Sequence, residues 1–192
     1  MAKFNTYQQK TDEELVSLSL KNKDAFALLV NRYQAKLARY IRHLSNFDEE
    51  EAADILQEVF IKAYLNLNDF DKRLKFSAWI YRITHNQVIS QYRRLKVRPQ
   101  AVVAVDDESI ANKFTDGVDL ARDLDLKYST AAVRAGLQKL PYKYQEVLVL
   151  RYLEEKSYEE ISAILRKPVA TVGTLISRAK KELQQLINKD HI

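Results

Sequence analysis

Residues Ser157 to Leu183 read "SYEEISAILRKPVATVGTLISRAKKEL". Ser157 and Glu160 stand at capping-box spacing, so a helix is expected to begin there. The run breaks at Arg166-Lys167-Pro168, and a second helix is expected from about Val169 to Ile187. In that second helix Val169, Val172, Ile176, Ala179 and Leu183 recur at three- and four-residue steps and should face a core. The opposite side carries Thr171, Thr174, Ser177, Arg178, Lys180 and Lys181. Short hydroxyls and cations suit base edges and phosphates. Two short helices joined by a three-residue turn make a helix-turn-helix pattern. A helical hairpin with a merely solvated outer face has the same spacing, so both readings stay open. Gly173 costs about 1 kcal/mol relative to Ala inside a helix. Close approach of DNA or tight packing would each account for it.

Upstream, Leu140-Pro141 places a proline in the first turn of a helix expected to run through Glu155, where the missing N–H costs little. Before that, the helical pattern fails in "KVRPQAVVAVDDESIANKFTDGVDLARD", which Pro99, the acidic cluster at Asp106 and Gly117 interrupt. Residues 97–128 are therefore expected to form a flexible acidic linker.

Residues 1–96 are expected to hold four helices. Thr11 and Glu14 form a second capping-box pair. From Asp24 to Leu44, Phe26, Val30, Tyr33, Leu37, Ile41 and Leu44 keep a helical period. A third helix, from about Asp48 to Leu67, has a broad stripe of Ile55, Leu56, Val59, Phe60, Ala63 and Leu67. On its other side Asp54, Gln57, Glu58 and Ile61 fall at i, i+3, i+4 and i+7. Acidic and amide groups around an exposed isoleucine fit a protein-binding surface, or an ordinary solvated face. A polar loop leads into a fourth helix, in which Trp79, Arg82, Asn86, Ser90 and Arg93 form one line. An aromatic ring in line with guanidiniums suits single-stranded nucleic acid, where bases stack on rings. Trp79 and Phe76 as core aromatics, with arginines solvating the helix, is the competing account.

Only three glycines and three prolines in 192 residues favour long helices. The fold class is all-α: two small helical domains, 1–96 and 129–192, joined by the linker 97–128. The net charge of +5 is unevenly spread. Residues 1–96 carry 16 Lys/Arg against 12 Asp/Glu, residues 97–130 carry 4 against 7, and residues 131–192 carry 11 against 7. Two basic blocks flank an acidic connector, which points to a polyanion partner at both ends. No apolar run is long enough to span a membrane, and the first residues lack a secretory h-region. The absence of cysteine removes thiol chemistry. A cytoplasmic protein without membrane insertion is expected. His43, His85 and His191 are isolated from metal-ligand spacings. With no Gly-rich phosphate loop and no nucleophile–base pairing, no enzyme, cofactor or metal is expected.

Two stretches resemble one family. "DILQEVFIKAYLNLNDFDKRLKFSAWIYRITHNQVISQYRR" (54–94) looks like region 2 of bacterial RNA polymerase sigma factors. "LPYKYQEVLVLRYLEEKSYEEISAILRKPVATVGTLISRAKKEL" (140–183) looks like their region 4. With only these two regions, over about residues 10–188, the chain is similar to the extracytoplasmic-function (ECF) group of the sigma-70 family. The resemblance implies a promoter-specificity subunit, with core RNA polymerase (its β′ clamp helices and β subunit) and promoter DNA as partners and an anti-sigma factor as a candidate partner. It implies that Asp54, Gln57, Glu58 and Ile61 dock on the polymerase. It assigns the minus-ten element and its melting to Asn66, Asn68, Asp69, Phe70, Lys75, Trp79, Arg82, Asn86, Tyr92, Arg93 and Arg94. Capturing an extruded base there offsets an unstacking cost of a few kcal/mol. The minus-thirty-five element falls to Thr171, Gly173, Thr174, Ser177, Arg178, Lys180 and Lys181. Many relatives have a basic residue at Gly173, an Arg at Leu175 and a Gly at Ala170, so no consensus sequence transfers. Asp106, Asp107 and Glu108 would lie in the family's connector and discourage nonproductive DNA binding. The alternatives are a free-standing helix-turn-helix regulator and an all-helical adaptor. The first block separates them: a regulator needs a dimerisation or ligand domain there, and an adaptor leaves the paired basic blocks unexplained.

Overall fold

A computed structural model of the protein describes residues 7–45, 47–97 and 130–190. The expected linker lies outside these residues apart from Val97, which ends a helix. Helices dominate, and no strand occurs among the described residues. The chain divides into two compact units.

Unit 1 starts where Thr11 caps helix α1 (Asp12–Ser19). The Glu14 N–H donates to Thr11 Oγ1 at 3.2 Å, and the Thr11 N–H donates back to Glu14 Oε2 at 2.8 Å. Two of the helix's orphan donors are thereby satisfied reciprocally. Helix α2 (Lys23–Leu44) starts at Asn22, whose side chain accepts from the Asp24 N–H. Of its expected stripe, Tyr33, Leu37, Ile41 and Leu44 are buried, whereas Phe26 and Val30 are half-buried. Helix α3 (Glu49–Leu65) opens in another capping box, Asp48 with Glu51. It stops two residues before the expected end, and a 3-10 turn (Leu67–Asp69) follows. Helix α4 (Phe76–Val97) closes the unit against α2 and α3.

Aromatic rings fill the centre of unit 1. Tyr33 meets Phe76 at 5.5 Å between centroids, Phe76 meets Trp79 at 5.6 Å, and Phe70 meets Trp79 at 5.4 Å. Edge-on and tilted pairs of this kind each add about 0.5–1.5 kcal/mol beyond their area burial. Tyr40 packs on Tyr81 at 5.0 Å, continuing the aromatic core along α2 and α4.

Unit 2 begins with helix α5 (Thr130–Lys139), which the sequence pattern did not reveal. Pro141 precedes helix α6 (Tyr142–Leu148), and α6 passes into a π-helical segment at Val149–Leu153. The expected helix through Glu155 thus ends earlier, in wider i→i+5 bonding such as the Glu154 N–H to the Val149 carbonyl at 3.0 Å. Helix α7 (Tyr158–Leu165) has the expected Ser157/Glu160 capping box. Arg166 then takes a left-handed conformation (φ 52°), and the Ser162 hydroxyl donates to the Lys167 carbonyl at 2.6 Å. Helix α8 (Val169–Asp190) follows, so the turn is the expected Arg166-Lys167-Pro168. Val172, Ile176, Ala179 and Leu183 are buried as expected. Val169 is not: it stands at the start of α8, beyond the packed region, and is exposed.

Close packing of α5 on α8 depends on Gly136. A Cβ there would lie 2.7 Å from Leu183 Cδ1 and 3.0 Å from Ile187 Cγ1. A Cβ at Gly173 would meet Tyr158 Cε2 at 3.5 Å, an ordinary contact. Packing therefore explains the first glycine and not the second.

Candidate polymerase and promoter interfaces

Helix α3 buries Ala52, Ile55, Val59 and Ala63, which turns the other side of the cylinder to solvent. Asp54, Gln57 and Ile61 are exposed together, as their spacing requires, with Ile61 50% exposed. The apolar part of this face extends to Tyr64 and Leu65, the latter 71% exposed. Sequence reasoning stopped at Ile61, although Leu65 is the next i+4 position and carried the signal. Glu58 is half-buried and engaged within the unit. Its carboxylate accepts from the Gln87 side-chain amide, and Lys62 donates to the Gln87 amide oxygen. Glu58 Oε1 also lies 4.0 Å from Arg94 Nη1, a long contact to a mostly exposed guanidinium, so that pair contributes little. Gln87 itself is buried, on the boundary between α3 and α4.

The loop between α3 and α4 has its own fastening. Asn66 ends α3, and its Nδ2 donates to the Lys62 carbonyl at 2.7 Å. Asn68 and Asp69 are exposed on the 3-10 turn. Asp71 accepts from the Arg73 backbone N–H at 3.0 Å and from its guanidinium, with Nη2 at 2.8 Å. Those bonds hold the Asp71 carboxyl down to about 2. Lys72 and Arg73 are exposed cations in this loop that sequence reasoning passed over, although "DKRLK" displays them.

Along α4 the expected line divides. Lys75, Asn86, Arg93 and Arg94 are exposed, and Arg82 is half-exposed. Trp79 is 6% exposed and Phe70 5%, and they pack on each other. Of the two accounts open for Trp79, the packing is that of a core ring, and Phe70 is buried beside it, so neither turns a stacking face to solvent in this structure. Tyr92 is half-buried, its hydroxyl donating to the Leu44 carbonyl at 3.2 Å and its ring 4.9 Å from Phe47.

On α8, Thr171, Thr174, Ser177, Arg178 and Lys181 are exposed, and Gly173 and Lys180 are partly so. The Thr174 hydroxyl donates to the Ala170 carbonyl at 3.0 Å, which leaves its lone pairs as acceptors. Lys180 Nζ lies 5.6 Å from the centre of the Tyr152 ring. Behind this face Glu146 is buried, and desolvation pushes its carboxyl up to about 7 while Lys167, 4.0 Å away in the turn, opposes that shift. No metal-ligating cluster occurs among the described residues, and none of the helices is long and apolar enough to cross a membrane.

Residues 29–98 match the family model for sigma-70 region 2, and residues 130–183 match sigma-70 region 4. The chain is 37% identical over 172 residues to the ECF RNA polymerase sigma factor SigW of Bacillus subtilis, covering 85% of this chain and 89% of that one. The chain belongs to the ECF group of the sigma-70 family. Other relatives of this sigma factor include the sigma-H factor of Pseudomonas aeruginosa, 32% identical over 93% of this chain and 95% of the relative. The sigma-E factor of Escherichia coli K12 is 34% identical over 94% and 96%. Among solved structures, CnrH in complex with the cytosolic domain of CnrY is similar with a TM-score of 0.69 and 28% identity, covering 94% of this chain and 99% of that one. RpoE of Bartonella quintana shares the fold, with a TM-score of 0.61 at 21% identity over 85% and 96%. As a sigma factor the protein is an initiation factor that binds core RNA polymerase, recognises promoter DNA and promotes its melting. The region 2 match leaves a free-standing regulator without support.

Proposed function

We propose that three surfaces divide the work of this sigma factor, within domains 1–96 and 129–192 joined by the linker 97–128. Asp54, Gln57 and Ile61 on α3, extended by Tyr64 and Leu65, dock on the polymerase. Asn66, Asn68, Asp69 and Lys75, with Arg82, Asn86, Arg93 and Arg94 on α4, engage and open the minus-ten element. Thr171, Gly173, Thr174, Ser177, Arg178, Lys180 and Lys181 enter the major groove at the minus-thirty-five element. Phe70 and Trp79 support the second surface from within the core, and Tyr92 braces it against Leu44.

The observation that carries this reading is the division of exposure within unit 1. Its acidic-amide face with an uncovered isoleucine and its basic line are on different helices, α3 and α4, and both are open to solvent. A protein surface and a polyanion can therefore be held at once, as a melting subunit requires. The protein works in the cytoplasm, where its polymerase is. The complex of the related CnrH with the cytosolic domain of CnrY supports a further protein partner for this chain as well, for which the family resemblance suggests an anti-sigma factor.

Transcription of a genomic promoter library by core polymerase, with and without the protein, tests the reading. Initiation confined to a set of promoters is expected, and Ile61→Asp should abolish it while leaving the fold intact. Tight operator binding without polymerase, and no effect on initiation, would overturn it.

A further inference from the structure

Helix α4 starts in an unusual way. Its first turn is closed by the Trp79 N–H donating to the Lys75 carbonyl at 3.3 Å, which makes Lys75 the residue at the cap position. Lysine has donors only and cannot satisfy the orphan N–H groups of a helix start. Its charge also opposes the positive end of the helix dipole. The acceptor comes from elsewhere: the Phe76 N–H donates to Glu13 Oε1 at 3.0 Å. Glu13 belongs to α1 and brings both an acceptor and a compensating negative charge.

The position of Glu13 is well determined. Its neighbour Asp12 binds Arg32 Nη1 at 2.7 Å and accepts from the Tyr33 hydroxyl, and Arg32 also donates to the Gln8 carbonyl at 2.8 Å. The Tyr33 ring in turn packs on Phe76, the residue whose N–H is capped. One assembly of α1 and α2 thus grips the first residue of α4. That residue lies directly after the loop 66–75 and directly before the line of Arg82, Asn86 and Arg93.

We propose that Glu13 is a positioning residue for promoter opening: by capping α4 from α1 it permits a cation at position 75 and fixes the start of the DNA-opening helix and the end of the adjoining loop. The inference rests on the assignment of α4 as the opening helix. Glu13 touches no DNA in this scheme. It acts through the Phe76 N–H, so a side chain that keeps a neutral acceptor should largely replace it.

The test uses the full chain with core polymerase on one promoter in two forms, fully duplex and pre-opened by a mismatched bubble. Opening is followed by permanganate reactivity of unpaired thymines, with polymerase affinity and circular dichroism measured alongside. Glu13→Ala is expected to slow opening of the duplex about fivefold, the factor that one lost helix cap represents. The pre-opened form should be served almost normally and polymerase affinity should be unchanged. Glu13→Gln should open the duplex within about twofold of the parent, because its amide oxygen still accepts. Equal loss on both templates, no loss on either, or a Gln variant as slow as Ala would overturn the proposal. Should the Ala variant fail to fold, the Gln variant decides: duplex opening retained supports the cap, and a larger loss overturns it. Arg93→Ala serves as the reference. A duplex-selective defect in Arg93→Ala without one in Glu13→Ala defeats this inference alone, whereas no defect in Arg93→Ala defeats the assignment of α4 together with it.

Discussion

The Trp79 ring meets Phe70 edge-on, with centroids 5.4 Å apart and planes inclined at 61°. Phe70 comes from the loop after α3 and Trp79 from the first turns of α4, so this contact fastens the loop to the helix. Replacing Trp79 with Ala should destabilise unit 1 by about 3–5 kcal/mol, the cost of truncating a large buried aromatic. Urea unfolding followed by circular dichroism measures it, since Trp79 is the protein's only tryptophan. A variant that folds normally and fails only in promoter opening would instead return the ring to the DNA surface.

The two helical glycines described above should respond oppositely to alanine. At Gly136 the new methyl group would press on Leu183 and Ile187, both buried, and overpacking of this kind costs about 1–3 kcal/mol. At Gly173 there is room, and the exchange should gain about 1 kcal/mol of helix propensity. Thermal unfolding should therefore rank Gly173→Ala above the parent and above Gly136→Ala. If Gly173 also admits the DNA backbone, its stabilised variant should bind minus-thirty-five duplex more weakly.

Glu146 should make unit 2 sensitive to pH. Its carboxyl has an ordinary value of 4.5 in the unfolded chain and about 7 in the folded one, because burial disfavours the charged form. Below pH 4.5 both states hold the proton and the shift has no effect on stability. As pH rises through about 7 the folded state must give up a proton that the unfolded chain lost earlier, so stability falls. The full cost, present above that range, is on the order of 3 kcal/mol. Glu146→Gln should flatten this dependence, raising stability at about pH 8 and changing little at about pH 4.5, as unfolding midpoints across pH will show.

Arg178 stands exposed on α8 beside Ser177 and one turn from Thr174. Arg178→Ala should weaken binding to a minus-thirty-five duplex by about 1–3 kcal/mol and relax preference at one base pair. Binding measured across a salt series separates the alternatives. A salt slope lowered by about 0.9 with sequence preference intact would make Arg178 a phosphate contact.

Where local rules suffice, the sequence was legible. The capping pairs at Thr11 and Ser157, the stripe along α2 and the three-residue turn before α8 are determined by neighbours within a few positions. Trp79 was harder because a three-four spacing shows which residues share a line but not what lies opposite. The line along α4 is covered at its start by Phe70 and Phe76 and open at its end, so one periodicity spans core and surface. Helix α5 was hidden because it is short, contains Gly136 and follows a sequence without helical periodicity. The π-helical segment at Val149–Leu153 leaves no mark in the spacing of apolar residues. Glu13 escaped notice for a similar reason: its hydrogen-bond partner is 63 positions away.

That separation bears on the order in which unit 1 assembles. Helices α1, α3 and α7 each begin in a box closed over three residues, which a nascent chain can form as soon as those residues exist. The start of α4 must wait until a distant carboxylate has been delivered, and distant pairings carry a loop-closure cost before they reward the chain. In the proposed scheme the strands of DNA are met by a helix whose first turn is capped from a distant part of its domain. Replacing Glu13 with Ala should leave α4 formed but frayed at that end, with Phe76 amide exchange rising while the other helical amides of the unit stay protected.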